Sequence, residues 1–306
     1  KFRQINRMIT VFGSINVDLV LKTEHLPAPG ETVLCPNYEM VAGGKGANQA
    51  LAAARSGAVV RMVGCVGDDS FKCLALKDLN KAGVDLSAIQ TTSSPTACAA
   101  VMVDEAGENS IVVASGANRD ATFDMIPNDA FGPSHFLVLQ MEIPHEENWL
   151  AVDRASSTGT KIVMSVAPAY PVPGRILDAV DYILVNELEG RTIAAASGMG
   201  DIPREELPKS LAARHNSTCI MTLGSAGTIA ADCDNTWHVP SLPIDPVVDT
   251  TGAGDAFAGC FATAISHGQN MEEALRFAAT GAGLSCALLG AQPSFPTAEE
   301  IESARL

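Results

Sequence analysis

Four short apolar runs decide the fold of this chain: FLVLQ (136–140), KIVMSV (161–166), YILVN (182–186) and CIMTLG (219–224). Segments that are long enough to form helices separate most of these runs. Such alternation is typical of a parallel sheet whose two faces are covered by helices. We therefore predict an α/β fold with a mostly parallel central sheet and helices on both faces.

Two segments depart from this alternation. Residues 96–115 contain two β-rich runs on either side of the turn DEAGEN, and residues 17–42 join a Pro- and Gly-rich stretch to an alternating run. We predict that excursions at about 17–42 and 95–116 form a small β-sheet lid. The chain has no linker or charge run, so we expect a single domain over residues 1–306.

Composition excludes several classes of partner. The formal net charge is −15 and no Lys/Arg cluster offsets it, which argues against binding to nucleic acid. No apolar run reaches the length of a membrane span, so we expect no membrane partner. The 8 cysteines include no CxxC pair, a usage that fits reduced thiols and a cytoplasmic enzyme.

Polar residues and glycine follow the predicted strands. In an open parallel sheet, ligands bind outside the carboxyl ends of the strands. Any one of these residues could simply cap the next helix, but together they favour a binding site. They are Asn16, Asp18, Gln140, Glu142, Asn186, Glu189, Thr222, Gly224 and Asp249.

The stretch VVDTTGAGDAF, residues 247–257, places two glycines and a carboxylate where a helix of about residues 256–267 begins. The amides of Ala253, Gly254 and Asp255 would be unpaired there, at the positive end of the helix dipole. Asp255 could be a simple cap, but a cap leaves the close glycines unexplained. An anion hole for a phosphoryl group, with Asp255 as the general base of an attacking hydroxyl, explains both.

Common nucleotide-binding motifs are missing. Gly44-Lys45 is followed by Gly46 instead of Ser or Thr, so the chain has no P-loop, and it has no GxGxxG. The absence of the dinucleotide motif makes a dehydrogenase a remote alternative.

Two separated motifs nevertheless resemble the signatures of the ribokinase-like carbohydrate kinase family, of the phosphofructokinase-B type. DTTGAGDAF (249–257) is similar to the carboxyl-terminal signature, and AGGKGANQA (42–50) is similar to the amino-terminal one. Further similar segments follow in the family's order across nearly the whole chain: GSINVD (13–18), VGCVGDD (63–69), NELE (186–189) and TLGSAG (222–227). The resemblance implies an ATP-dependent sugar kinase that transfers the γ-phosphate to the primary 5-hydroxyl of D-ribose and makes ribose 5-phosphate. It also implies Mg²⁺ and K⁺ as cofactors and a homodimer that forms through the lid.

The same resemblance assigns roles to individual positions. Asp255 matches the catalytic base, and Gly252, Ala253 and Gly254 match the anion hole. The positions that match sugar contacts are Asn16, Asp18, Gly44, Lys45, Asn48 and Glu142. The positions that match nucleotide contacts are Asn186, Thr222, Leu223, Gly224, Ser225, Ala226 and Gly227, with Glu189 organising Mg²⁺ through water. The positions that match a monovalent cation site are Asp249, Thr251, Ser285, Leu288, Gly290 and Ser294.

Two departures from the family pattern concern specificity. Ser165-Val166-Ala167-Pro168 stands where Asn-Pro-Ala-Pro is common, and Ala279 replaces a polar residue near the adenine side. Alternatives that stay open are a nucleoside kinase or another carbohydrate kinase of the same fold, and a non-catalytic sugar-binding regulator. Lys22 is nearly the only cation of the predicted lid, which disfavours a phosphosugar substrate.

Overall fold

A computed structural model describes residues 7–304. Residues 1–6 and 305–306, which the predicted domain includes, lie outside the described residues. The strands of the described chain are β1 Met8–Phe12, β2 Asn16–Lys22, β3 Tyr38–Gly43, β4 Val59–Gly67, β5 Asp85–Thr92, β6 Ala97–Val103, β7 Asn109–Ala114, β8 Phe136–Leu139, β9 Lys161–Ser165, β10 Tyr182–Asn186, β11 Thr218–Thr222, β12 Thr228–Ala231 and β13 Thr236–Val239.

The larger sheet has nine strands in the order β13-β12-β11-β10-β9-β8-β1-β4-β5. Its pairs are parallel from β5 to β11, whereas β12 and β13 continue it as an antiparallel edge. The strands with apolar residues on both faces, such as β8 (FLVL), are fully buried, as expected of a sheet covered on both sides. The predicted α/β class with a mostly parallel sheet is confirmed.

Helices cover both faces of this sheet. They are α1 Lys45–Arg55, α2 Ser70–Lys81, α3 His145–Thr158, α4 Gly174–Leu177, α5 Glu187–Ala196, α6 Leu207–His215, α7 Ala253–Ser266, α8 Met271–Ser285, α9 Ala291–Ser294 and α10 Ala298–Ala304. One apolar core joins the sheet to α1, α7 and α8, and a second core joins its other face to α3, α5 and α6. The sheet therefore forms the middle layer of three.

The second sheet has four strands in the order β3-β2-β6-β7. It contains the two segments that the sequence separated from the main alternation, and β2 pairs in parallel with β6. One prediction is corrected here: Asn16 and Asp18 do not end the first strand of the main sheet. That strand ends at Phe12, and Asn16 begins β2 of the small sheet.

No helix within residues 7–304 combines the length and the apolar character that crossing a membrane requires.

Candidate active site

The amino end of α7 borders a cavity of about 180 Å³ at the carboxyl ends of β9, β10 and β11. Gly252 is the N-cap, with a φ of 78° that favours glycine. If Gly252 were replaced by a residue with a Cβ atom, that atom would lie 2.6 Å from the Cβ of Ala291. A Cβ atom at Gly254 would meet nothing within 4 Å. Gly252, Gly254 and Asp255 all line the cavity.

One amide of the predicted anion hole has another partner. The N–H of Ala253 donates to the carbonyl of Thr250 at 3.2 Å, in the turn that leads into α7. The helix itself begins at Ala253 and not near residue 256 as the sequence suggested. Ala253 is therefore a poorer donor for an anion than predicted. The first-turn amides of Gly254 and Asp255 retain this capacity, together with the amide of Gly252.

Close packing of two helices fixes the Asp255 side chain. A Cβ at Gly259, one turn after Asp255, would lie 2.6 Å from the carbonyl oxygen of Gln49, so this glycine lets α1 approach α7. As a result Asn48 Nδ2 donates to Asp255 Oδ2 and Gln49 Nε2 donates to Asp255 Oδ1, both at 2.9 Å.

The charge on Asp255 is balanced by opposing effects. Burial raises the pKa of Asp255, while Lys45 and the amides of Asn48 and Gln49 lower it. Reciprocally, the Asp255 carboxylate is the main cause of the raised pKa of Lys45. A buried carboxylate next to a half-buried cation at a cavity is an arrangement suited to general base catalysis.

A second group of polar residues lies where the small sheet joins the large one. Burial and the neighbouring Glu142 raise the pKa of Asp18 to about 6, against the attraction of Lys45. Asp18 Oδ1 is buried without a hydrogen-bond partner among the described residues. The carboxylate packs so closely on Gly43 that a Cβ there would collide with it. A buried acceptor of this kind is suited to a sugar hydroxyl.

Glu142 binds both the Ser14 side chain and the amino end of α1. Its Oε2 accepts hydrogen bonds from Ser14 Oγ at 2.6 Å and from the amide of Lys45 at 3.0 Å. Both bonds use the same oxygen, and the negative charge is favourable at a helix amino terminus. Gly44 precedes the helix with a φ of 89°, and a Cβ there would lie 2.8 Å from the backbone nitrogen of Asn16.

The Asn186 and Glu189 pair forms a capping box at the start of α5. Asn186 Oδ1 accepts from the amide of Glu189 at 2.9 Å, and Glu189 Oε2 accepts from the amide of Asn186 at 2.7 Å. Burial raises the pKa of Glu189, and the Asn186 amide and Lys45 oppose that rise. Both side chains line the same cavity as Asp255.

A larger cavity of about 620 Å³ continues from the first and shares Thr222, Gly254 and Phe257 with it. The 222–227 loop contributes four of its lining residues: Thr222, Gly224, Ser225 and Gly227. Leu223 and Ala226 of the same loop are not among them, and Leu223 packs against the core instead. Ala279, Ala282 and Gly283 of α8 form part of the opposite wall.

The predicted cation residues surround the loop before α7. Asp249 accepts from the amide of Thr251 at 2.9 Å and from the amide of Gly290 at 2.8 Å. Burial alone would raise the pKa of Asp249, but these bonds hold it below its usual value. Ser285 and Ser294 are buried nearby in α8 and α9, and Leu288 is exposed between them.

Sequence reasoning missed several residues that the fold brings to the site. Gln49 directly follows the predicted site residue Asn48 in the motif AGGKGANQA, and this position was the available signal. Asn118 donates to Asn16 Oδ1 at 2.7 Å and accepts from the amide of Ile15 at 2.9 Å. Gln292 and Gln140 contact Asn48 and Gln49. Gln140 was predicted only as a polar residue at a strand end, without this contact. The positions of Asn118 and Gln292 carry no signal, because their contacts are long-range.

Comparison with known proteins finds relatives over nearly the whole length of the chain. The model of the pfkB family carbohydrate kinases matches residues 6–298. A ribokinase of Bacillus subtilis is 37% identical over 298 residues, which cover 97% of this chain and 98% of the relative. A ribokinase structure from Thermotoga maritima matches with a TM-score of 0.90 at 33% identity, covering 97% of this chain and 99% of that one. The Arabidopsis thaliana ribokinase, solved in complex with ribose and ATP, matches with a TM-score of 0.86 at 31% identity over 98% of both chains.

These matches confirm the ribokinase-like fold that the two signatures implied, including the large sheet and the small one. They extend over nearly the whole length of this chain and of its relatives. The chain belongs to the pfkB family of carbohydrate kinases.

Proposed function

We propose that the protein is an ATP-dependent sugar kinase that phosphorylates D-ribose on its primary 5-hydroxyl and releases ribose 5-phosphate and ADP. The observation that carries the proposal is the buried Asp255 carboxylate at the amino end of α7, beside the cavity that Gly252 and Gly254 line. The full-length similarity to ribokinases supports ribose as the substrate.

In this mechanism Asp255 accepts the proton of the 5-hydroxyl as the oxygen attacks the γ-phosphorus. The bond from that phosphorus to the β–γ bridging oxygen breaks, and ADP leaves with the electron pair. The amides of Gly252, Gly254 and Asp255, with the Lys45 ammonium, stabilise charge on the transferring group. Base catalysis of this kind contributes about 10²–10⁴-fold in rate.

Ribose would bind between the two sheets. Asp18 and Asn16 of β2, Glu142 after β8 and the Gly44–Lys45 turn surround this position with acceptors and donors. The side-chain amide of Asn48 already forms hydrogen bonds with Asp255 and Gln292. It therefore has fewer free donors and acceptors for a sugar than the family resemblance implied.

ATP would occupy the larger cavity, with its phosphates toward Gly254. The cavity wall near Ala279, Ala282 and Gly283 is apolar and suits a purine ring. Thr222 lines both cavities, Asn186 lines the smaller one beside α7, and Gly224 and Gly227 line the larger one.

The residues fit Mg²⁺ and K⁺ in different ways. Within residues 7–304 no three His, Cys, Asp or Glu side chains form a metal cluster, so Mg²⁺ would be held by phosphate oxygens and water, with Glu189 as the nearby carboxylate. When bound, it neutralises phosphate charge. K⁺ would lie among the oxygens of Asp249, Thr251, Ser285, Leu288, Gly290 and Ser294 and order the loop before α7.

The small sheet would act as the lid, excluding water during transfer, and as a dimer interface. Its edge strands expose Tyr38 and Met40 on β3 and Ile111, Val112 and Val113 on β7. Paired edges of two copies would cover these side chains. All 8 cysteines are free, which fits a place of action in the cytoplasm.

Release of ADP from Mg-ATP tests the proposal across ribose, deoxyribose, fructose, fructose phosphates and nucleosides, with and without K⁺. Ribose should give the highest kcat/KM, and K⁺ should increase it. Equal turnover of ribose and cytidine would support a nucleoside kinase, and binding of ribose without turnover would support a regulator.

A further inference from the structure

Two chains of buried amide side chains converge on the Asp255 carboxylate. On one side Gln140 Nε2 donates to Gln49 Oε1 at 2.8 Å, and Gln49 Nε2 donates to Asp255 Oδ1 at 2.9 Å. On the other side Gln292 Nε2 donates to Asn48 Oδ1 at 3.1 Å, and Asn48 Nδ2 donates to Asp255 Oδ2 at 2.9 Å. Each carboxylate oxygen therefore receives one N–H from an amide that is itself held by a glutamine.

The outer glutamines determine which end of each inner amide faces the base. A side-chain amide presents an oxygen that accepts and an NH₂ that donates, and rotation by half a turn exchanges them. An ionised carboxylate can only accept. With its oxygen already bound to an outer glutamine, an inner amide must turn its NH₂ toward Asp255.

We propose that Gln140 and Gln292 are positioning residues for phosphoryl transfer, which fix the amide orientation of Gln49 and Asn48 and thereby keep two donors on the Asp255 carboxylate. The inference rests on the proposed function of Asp255 as the base. Gln140 is one of the polar residues at the predicted strand ends, but neither glutamine was assigned a role in the site, and both act through another residue.

The burial of the two glutamines supports a role beyond packing. Both side chains are fully buried, and in each the Oε1 atom has no hydrogen-bond partner among the described residues. A buried acceptor without a partner destabilises the folded state, so an apolar residue would be the more stable choice for a purely structural position.

The backbone holds both glutamines firmly. Gln140 follows β8, its carbonyl accepts from Asn148 Nδ2 at 2.7 Å, and a Cβ at Gly13 would collide with its side-chain oxygen. The carbonyl of Gln292 on α9 accepts from Arg55 of α1 at 2.7 Å. These anchors leave each side-chain amide directed at its inner partner.

The surroundings make the charge of Asp255 sensitive to these donors. The charged groups that act on it are Lys45 of α1, Glu142 after β8, Asp18 of β2 and Glu189 of α5. Burial and Glu142 raise the pKa of Asp255, whereas Lys45 and the two inner amides lower it. An inner amide that turned its oxygen toward the carboxylate would therefore raise this pKa further.

The test is the pH dependence of kcat/KM for ribose in Gln140→Met and Gln292→Met, which keep the side-chain length and remove the outer donor. The acid limb of the profile should move up by about 0.5–1 pH unit in each, because the base becomes harder to ionise. Gln292→Glu should move it further, since a carboxylate at that position forces the Asn48 NH₂ away from Asp255.

Gln269→Met is the matched control. Gln269 also has a buried Oε1 without a partner among the described residues, but it follows the opposite end of α7, so its variant should keep the wild-type acid limb. A ¹³C NMR titration of the Asp255 carboxyl measures its pKa without turnover. It therefore tests the positioning role of Gln140 and Gln292 separately from the proposed kinase function. A wild-type protein that does not phosphorylate any sugar would refute the proposed function. An unchanged Asp255 pKa in both folded methionine variants would refute the positioning role.

Discussion

Lys45 is the cation that the carboxylates of the site share. It lowers the pKa of Asp18, Glu189 and Asp255, each of which burial raises. The single ammonium group of Lys45 does not compensate the charge of these three carboxylates. The site therefore lowers the stability of the folded protein when no ligand is bound. Asp18, whose Oδ1 has no hydrogen-bond partner among the described residues, is the clearest case.

We predict that Asp18→Asn stabilises the unliganded protein at pH 7 by about 1–3 kcal/mol and weakens ribose binding. The pKa of Asp18 is raised from 3.8 to about 6 in the folded state, so that state binds more protons between these values. The contribution of Asp18 to the free energy of unfolding therefore falls as the pH rises from about 4 through 6. Urea unfolding at pH 4 and at pH 7 measures this difference.

The stability gain should shrink toward pH 4, where the carboxyl of Asp18 is protonated in the folded state and no longer carries a buried charge. A gain of equal size at both pH values would mean that charge is not its cause. Isothermal calorimetry with ribose tests the other half of the prediction, and unchanged affinity would remove Asp18 from the sugar site.

Among individual residues, the sequence indicated those that lie within recognisable motifs, such as Asp255 and Lys45. The structure brings both of these to one cavity. The sequence could not predict Gln292, which reaches Asn48 across 244 positions of the chain. Nor could it predict that Thr250 would engage the amide of Ala253, because the start of a helix depends on local geometry.

Among the elements, the contact between α1 and α7 sets the site. We predict that Gly259→Ala destabilises the protein by about 1–3 kcal/mol and lowers kcat. The added Cβ would lie 2.6 Å from the carbonyl oxygen of Gln49 and 2.7 Å from Ala52 Cβ, so α1 must move and take Gln49 away from Asp255. Urea unfolding and steady-state kinetics measure the two effects.

Gly200→Ala is the control for the chemical change itself. A Cβ there meets nothing within 4 Å, and the substitution should leave kcat unchanged and stability within about 1 kcal/mol. Wild-type kcat in Gly259→Ala would show that the helix contact does not position the base.

The sequence predicted most elements because each has a local signal. The four runs FLVLQ, KIVMSV, YILVN and CIMTLG correspond to β8, β9, β10 and β11. The prediction that Asn16 and Asp18 follow a strand of the main sheet was wrong, because that strand ends at Phe12 and the chain leaves the main sheet at Gly13. There the chain packs against Gln140, a contact that only the assembled fold supplies.

For the whole molecule, the small sheet, which we propose as the lid, exposes apolar edge strands that a second copy would cover. We predict that wild-type protein is a dimer in solution and that Val112→Asp converts it to a monomer. Val112 is 65% exposed on the edge strand β7, so a charge there disrupts an apolar interface without disturbing the core. Sedimentation velocity measures the change in mass.

Leu150→Asp places the same charge on an exposed apolar residue of α3, in the larger α/β part, and should leave the dimer intact. A monomeric wild-type protein, or a dimeric Val112→Asp variant, would contradict assembly through the lid.

The topology of the whole molecule lies beyond local patterns. Parallel pairing of β2 with β6 joins residues about eighty positions apart, for example Asn16 with Ala97, and no turn signal links them. The alternation of runs predicted a parallel sheet and the family signatures implied its fold, but the order of its nine strands follows from how the helices pack on both faces.

We propose that Asp255 is the base for a phosphoryl group bound at the amino end of α7. The most direct test of this role is the single-turnover rate of ribose phosphorylation in Asp255→Asn, with the ribose Kd measured by calorimetry on the same protein. We predict a rate lower by about 10²–10⁴-fold with a Kd within a few fold of wild type. A rate that stays within tenfold of wild type in this variant would show that Asp255 is not the base, because another group would then have to accept the proton.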